Sequence, residues 1–173
     1  MYSLDEVKEH CSDKKYVLEA VKEDGLLLDG ASEVLKDDKE LVMLAVTTDG
    51  GALEFASDRL KDDKEILMKA VETKGFVICY ASERLRNDKE LIQKAAGKDG
   101  QILYYAGKEL RDDYDVVLAA VQNKGLILKY ASKRLRANKE IVLEAIKQDK
   151  RAYDFIVPEL REDEDIQKII APE

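Results

Sequence analysis

Several residue types in this chain could do chemistry, and each has a plainer use beside it. His10 and Cys11 stand side by side, the single histidine next to one of two cysteines. A thiolate–imidazolium pair needs its members face to face, whereas adjacent residues on a helix point to different sides. One histidine cannot complete a Ser-His-Asp set or a histidine-rich metal site. Cys79 falls in a column with Asp29, Glu54, Tyr104, Lys129 and Asp154, the company of a solvent-facing position, and reads as a thiol without a catalytic role. Acidic boxes such as Asp37-Asp38-x-Glu40 offer oxygens for a cation. A calcium loop wraps several such oxygens round a glycine turn, and no Asp-x-Asp-x-Asp-Gly run occurs. Acid followed three positions later by Glu is instead the spacing of a helix cap. The recurring glycines stand 25 residues apart, so no phosphate-cradling loop is expected. No catalytic residue, metal ligand or cofactor follows, and the chain reads as a non-enzyme.

Two further columns repeat along the sequence. Phe55, Tyr80, Tyr105, Tyr130 and Phe155 adjoin an alanine column in all but the last case, and read as core rather than as a base-stacking platform. Lys36, Lys61, Arg86, Arg111, Arg136 and Arg161 recur without exception, with acidic residues close behind. They read as an ion-pair ladder between neighbouring units, individually weak. The alternative is a groove for an acidic peptide or a phosphate.

These columns exist because the chain repeats. Blocks of 25 residues begin at Asp13, Asp38, Asp63, Asp88, Asp113 and Asn138 without insertion, and a partial one begins at Asp163. Ala recurs at 20, 45, 70, 95, 120 and 145, and Leu at 35, 60, 85, 110, 135 and 160. Gly stands at 25, 50, 75, 100 and 125, with Lys150 as the exception. Such a period marks stacked supersecondary units.

Within the second block, Leu41, Val42, Ala45 and Val46 lie on one helical face. Asp37 and Glu40 are its expected capping box, repeated as Asp62/Glu65, Asn87/Glu90 and Asp112/Asp115. Gly50 is expected to end this helix in the left-handed conformation. Ala52, Leu53, Ala56 and Leu60 then predict a second helix reaching Lys61. Helices this short need neighbours to be stable, and the alanine column lets them approach closely. The expected fold is all-α: an α-solenoid of six 25-residue helix-turn-helix repeats over 13–162, forming one domain. Residues 1–12 form an amino-terminal cap, with Leu4, Val7 and Cys11 on one face and Ser3/Glu6 as its box. Residues 163–173 close the other end through Ile166 to Ile170.

Composition narrows the partners. The 173 residues carry 29 basic and 37 acidic side chains, net −8, which disfavours nucleic acid. No apolar run is long enough to span a membrane. The amino terminus lacks the apolar stretch of a secretion signal, and two distant cysteines form no disulfide framework, so the cytoplasm is the expected location. Charge is uneven: residues 88–137 hold 10 basic against 7 acidic side chains, whereas residues 1–87 hold 13 against 20. A basic belt at Lys129, Lys133, Arg134 and Arg136 thus lies between acidic stretches, a pattern that orients a partner.

The recurring phrase Ala-Val-x-x-x-Gly-x-x-Leu-x-Tyr-Ala-Ser-x-x-Leu-Arg-x-Asp-Lys-Glu stands nearly whole from Ala70 to Glu90 and from Ala120 to Arg136. It resembles the family catalogued as domain of unknown function 4116, over about residues 13–162. The resemblance implies tandem helical architecture. That family has no established activity, so it brings no catalytic residue or cofactor.

The expected role is a protein–protein interaction scaffold whose partner is another protein or peptide, without nucleic acid or membrane. A self-assembling structural element is the alternative. Specificity should sit in columns that vary between blocks: Leu44 on the first helix; Phe76, Cys79, Tyr104, Leu126 and Lys129 on the second; and the belt residues Lys133, Arg134 and Arg136. Removing residues 63–87 in register is expected to leave a folded, shorter helical protein. Removing 63–75 alone should strand half a unit, and circular dichroism would register the loss of helicity.

Overall fold

Each repeat folds as three short pieces rather than two. In the second, Lys39–Thr48 is an α-helix of 10 residues, Gly50–Phe55 a 3-10 helix of 6 and Asp58–Lys61 an α-helix of 4. The computed structural model describes residues 1–171, and among them there is no strand. They form two compact units, Met1–Leu85 and the chain from Arg86 onward. Within each unit the long helices of successive repeats pack side by side. The fold is an all-α repeat fold.

The apolar columns build the core. Leu41, Val42, Ala45 and Val46 are fully buried, as are Ile66, Leu67, Ala70 and Val71 in the next repeat. Val116, Val117, Ala120 and Val121 and then Ile141, Val142, Ala145 and Ile146 do the same in the second unit. Burying one such aliphatic side chain contributes roughly 1.5–3 kcal/mol. No polar or charged residue among those described is buried. At the start, Leu4–Glu9 forms the expected cap helix, with Val7 buried. Its capping box is present: Glu6 Oε2 accepts from the Ser3 backbone N–H at 2.8 Å. At the other end Glu164–Ile170 buries Ile166.

Three expectations are corrected. The second helix is broken, because Ala56 is extended at φ −66° and ψ 156°. The next residue explains the break: Ser57 caps the four-residue helix, its hydroxyl oxygen accepting from the Leu60 N–H at 3.3 Å. The helix caps shift by one residue. Asp38, not Asp37, accepts from the first turn, at 3.0 Å from the Leu41 N–H. Asp63, Asp88, Asp113 and Asn138 take the same position, and Asp62, Asn87 and Asp112 stand one residue outside.

The third correction concerns the glycines. No described residue, glycine included, has positive φ. The long helices end instead on extended residues such as Asp24 and Asp49. Glycine is required by the neighbouring repeat: a Cβ on Gly25 would stand under 3.0 Å from the Ala45 carbonyl oxygen. Gly50 meets Ala70 in this way, Gly100 meets Ala120 and Gly125 meets Ala145. Lys150 is the exception in this column, and it is exposed.

A pair of substitutions separates this contact from helix propensity. Gly125→Ala should destabilise the protein by about 1–3 kcal/mol, because backbone faces backbone there and cannot yield easily. Gly97 lies inside the helix Lys89–Lys98 and a Cβ there meets nothing within 4 Å. Gly97→Ala should therefore stabilise by roughly 0.5–1 kcal/mol. Thermal unfolding of both variants checks the opposite signs.

Candidate functional site

Side chains that hold the repeats together must be separated from those left over. One backbone bond recurs at each junction: the Ser57 N–H donates to the Lys36 carbonyl at 3.0 Å, and Ser132 to Arg111 at 2.9 Å. In four repeats a lysine opening the long helix reaches the cap of the next repeat, whereas Tyr114 stands at that position in the fifth. Lys39 pairs with Asp63 and Glu65 at 2.8 Å each, and Lys89 with Asp113 at 2.8 Å and Asp115 at 2.9 Å. Lys14 and Lys139 repeat the pattern.

The displaced acid of each pair makes a second clamp. Asp37 accepts from the Ser57 hydroxyl, and the Arg59 Nε donates to it at 3.0 Å. Asp62 takes Ser82 and Arg84, and Asp112 takes Ser132 and Arg134. Twice the three are lost together: Asn87 goes with Gly107 and Glu109, and Ala137 with Val157 and Glu159, while at the first junction Ser12 goes with Val34 and Ser32 is kept. Three residues spaced by 20 and 2 therefore act as one unit.

At Arg111 and Arg136 the expected basic column is not the ladder. Arg111 Nε donates to the Ala106 carbonyl at 2.9 Å and Nη2 to that of Tyr104 at 3.2 Å. Arg136 Nη1 donates to the Phe155 carbonyl at 3.4 Å. These guanidiniums satisfy carbonyls at the ends of 3-10 helices, while the ion pairs come from the lysines and from Arg59, Arg84 and Arg134.

The aromatic column is not core either. Phe55, Tyr80, Tyr130 and Phe155 are half-buried. Tyr105 is exposed, because the 3-10 helix of its repeat stops at Tyr104 and Tyr105 turns to φ −88° and ψ −16°. This repeat lacks the clamp, as the sixth also does, and a Cβ on Gly107 would collide with the Asn87 side chain.

The result is an aromatic surface in the second unit. Tyr104, 54% exposed, meets Tyr105 edge-on at 5.0 Å and Tyr130 at 5.2 Å. Gln101, these three tyrosines and Ile127 line a hollow of about 250 Å³. A second hollow, of about 210 Å³, shares Gln101, Ile127 and Tyr130 and adds Lys124, Leu126 and Lys129. The Lys129 ammonium sits 4.8 Å from the Tyr130 ring centre, a cation–π contact.

Of the residues singled out from the sequence, Tyr104, Leu126 and Lys129 are thus brought together. Lys133 is exposed on the following four-residue helix. Arg134 and Arg136 share that helix but are engaged by Asp112 and the Phe155 carbonyl. Leu44, half-buried, Phe76, 42% exposed and edge-on to Tyr80, and half-buried Cys79 all lie in the first unit. Gln101, Lys124 and Ile127 were missed, and Tyr105 and Tyr130 were assigned to the core. One signal was available: Tyr104 stands where the second repeat has Glu54, and Gly107 where most repeats have Ser.

The arrangement places the chain among all-α tandem-repeat proteins. The family model described as a domain of unknown function, DUF4116, matches residues 13–61, 38–86, 63–111, 113–161 and 138–168. The chain belongs to that family. Each match opens on a helix-capping residue of the 25-residue register, and the first four span two successive units. No curated protein and no solved structure matches the chain.

The clamps make stability depend on acid. The Ser57 hydroxyl and then the Arg59 guanidinium hold the Asp37 carboxyl below its ordinary 3.8, and Ser82 and Arg84 do so for Asp62. At Asp112 the Ser132 hydroxyl lowers it, desolvation opposes in part, and Arg134 adds to the lowering. A depressed folded-state pKa stabilises the fold above the unfolded value, and the contribution fades as pH falls through the folded one. The joint variant Asp62→Asn, Asp112→Asn should therefore show a shallower loss of Tm below about pH 3.8 than the parent protein. Melting curves recorded down the acid range would reject the clamp if the two slopes coincide.

Proposed function

We propose that this chain is a non-enzymatic repeat module that serves as a protein–protein interaction scaffold. The observation that carries the reading is the cluster of Tyr104, Tyr105 and Tyr130, aromatic side chains held partly in water on a framework that buries its aliphatic columns completely. Tyrosines of this kind anchor partners because they offer area and a polar tip at small entropic cost. The non-enzymatic part is supported by the single histidine and by the capping and clamping duties of the recurring acids. No helix among the described residues is long and apolar enough to cross a membrane. A cytoplasmic location is supported by the two distant cysteines alone.

Crosslinking in extract of the source cell tests the reading. The parent protein should capture a stoichiometric protein partner, and Tyr104→Ala with Tyr130→Ala should lose it while keeping the same circular dichroism. Capture that ignores both substitutions would refute this surface. Self-assembly is the second reading, favoured by Val34 at 80% and Leu26 at 40% exposure in the first repeat. Sedimentation that remains monomeric at all concentrations would remove it.

A further inference from the structure

The tyrosine surface has a chemical polarity that its neighbours lack. The two hollows together are lined by Lys124 and Lys129 and by no acid. The other hollows are mixed: Glu33, Glu54 and Asp58 face Lys36 and Lys61 in one, and Asp13 and Glu19 face Lys15 in another. Desolvating an ammonium is unfavourable unless an anion meets it, so a partner covering this surface must bring anions.

The repeats themselves display the missing interaction. In the first unit Tyr80 donates its hydroxyl to Glu54, one repeat earlier, at 2.9 Å. Tyr130 is the matching tyrosine in the fifth repeat, and the position matching Glu54 is Tyr104. An acid has been replaced there by an aromatic ring, and the Tyr130 hydroxyl has no hydrogen-bond partner among the described residues. The same holds for the hydroxyls of Tyr104 and Tyr105 and for the Gln101 side chain.

The cations follow the same logic. Lys74 pairs with Asp49, one repeat earlier, at 2.7 Å. Lys124 is its counterpart, and Asp99 is the counterpart of Asp49. Asp99 accepts from the Gln101 N–H at 2.9 Å, as Asp49 does from the Gly51 N–H, but Lys124 forms no ion pair among the described residues. Lys129 has only the Tyr130 ring. Asp113 and Asp115 hold Lys89, and Asp112 holds Arg134.

We propose that this surface binds an acidic peptide segment of another protein, with carboxylates on Lys124, Lys129 and the tyrosine hydroxyls and an apolar side chain against Leu126 and Ile127. The inference rests on the interaction-scaffold reading and adds the chemistry of the partner. Phenol and ammonium donors together suit a carboxylate, and the rings beside them suit an apolar anchor on the same strand of peptide. Charge complementarity of this kind also makes association sensitive to salt.

The experiment is selection of a random displayed peptide library on the full chain, followed by fluorescence anisotropy with the enriched peptides. Enriched sequences should be acidic relative to the input and carry an apolar residue. Lys124→Gln with Lys129→Gln should weaken binding by about tenfold or more, and added salt should weaken it further. Tyr104→Phe with Tyr130→Phe keeps the rings and should cost roughly threefold through the lost hydroxyls. Lys15→Gln, in the first unit, should have no effect. Circular dichroism verifies the fold of all these variants.

Enrichment of neutral or basic peptides that still require Tyr104 and Tyr130 would overturn the acidic preference and leave the interaction surface standing. Selection that yields no peptide sensitive to these residues would overturn both. Displacement of a bound acidic peptide by single-stranded polyuridine at equal affinity would identify an anion surface for nucleic acid and overturn the proposal.

Discussion

Within each unit, a glycine α-carbon of one repeat lies against the carbonyl oxygen of an alanine in the next, with no room for a methyl group between them. That contact sets the separation of neighbouring repeats, and the other links depend on it. Lysine reaches the next helix cap, serine N–H reaches the previous helix end, and aspartate receives serine and arginine, all because one spacing is repeated. Close packing makes such a spacing discrete rather than adjustable. The short helices need this arrangement, since segments of ten residues or fewer are marginal alone.

A strict repeat has little freedom to carry function, and the departures from it are where freedom appears. The fourth repeat has lost the Asp-Ser-Arg clamp as a set, through Asn87, Gly107 and Glu109. Its 3-10 helix is one residue shorter and its aromatic residue points further into water. Arg111 meanwhile holds the ends of that segment through two carbonyls. The sixth repeat lacks the same set, through Ala137, Val157 and Glu159, and there Arg136 donates to the Phe155 carbonyl.

Charge divides in the same way. Most recurring charges are spent on junctions between repeats, where each pair is weak but the register is specific. The lysine Lys139 illustrates the environment: hydrogen bonds to Asp165 and Asp163 push its pKa up to about 12. Tyr80 is likewise raised to about 12, by burial first and by the Glu54 hydrogen bond next. Lys124, Lys129 and Tyr130 lack those internal partners, and that contrast, rather than net charge, distinguishes the tyrosine surface from the framework.

Much of this protein was legible in one dimension. The 25-residue period, the buried Leu, Ile, Val and Ala columns, the all-α class and both terminal helices follow from periodicities along the chain, because a helix face is a local property. Residues that act across 20 to 26 positions were not legible. Whether Asp37 or Asp38 caps the helix depends on where Ser57 and Arg59 arrive. Why Gly25 is glycine depends on Ala45, and Tyr105 is exposed where its 3-10 helix stops one residue early. Spacing along a chain specifies which face a side chain takes; only the packing of one repeat on the next specifies what that face meets.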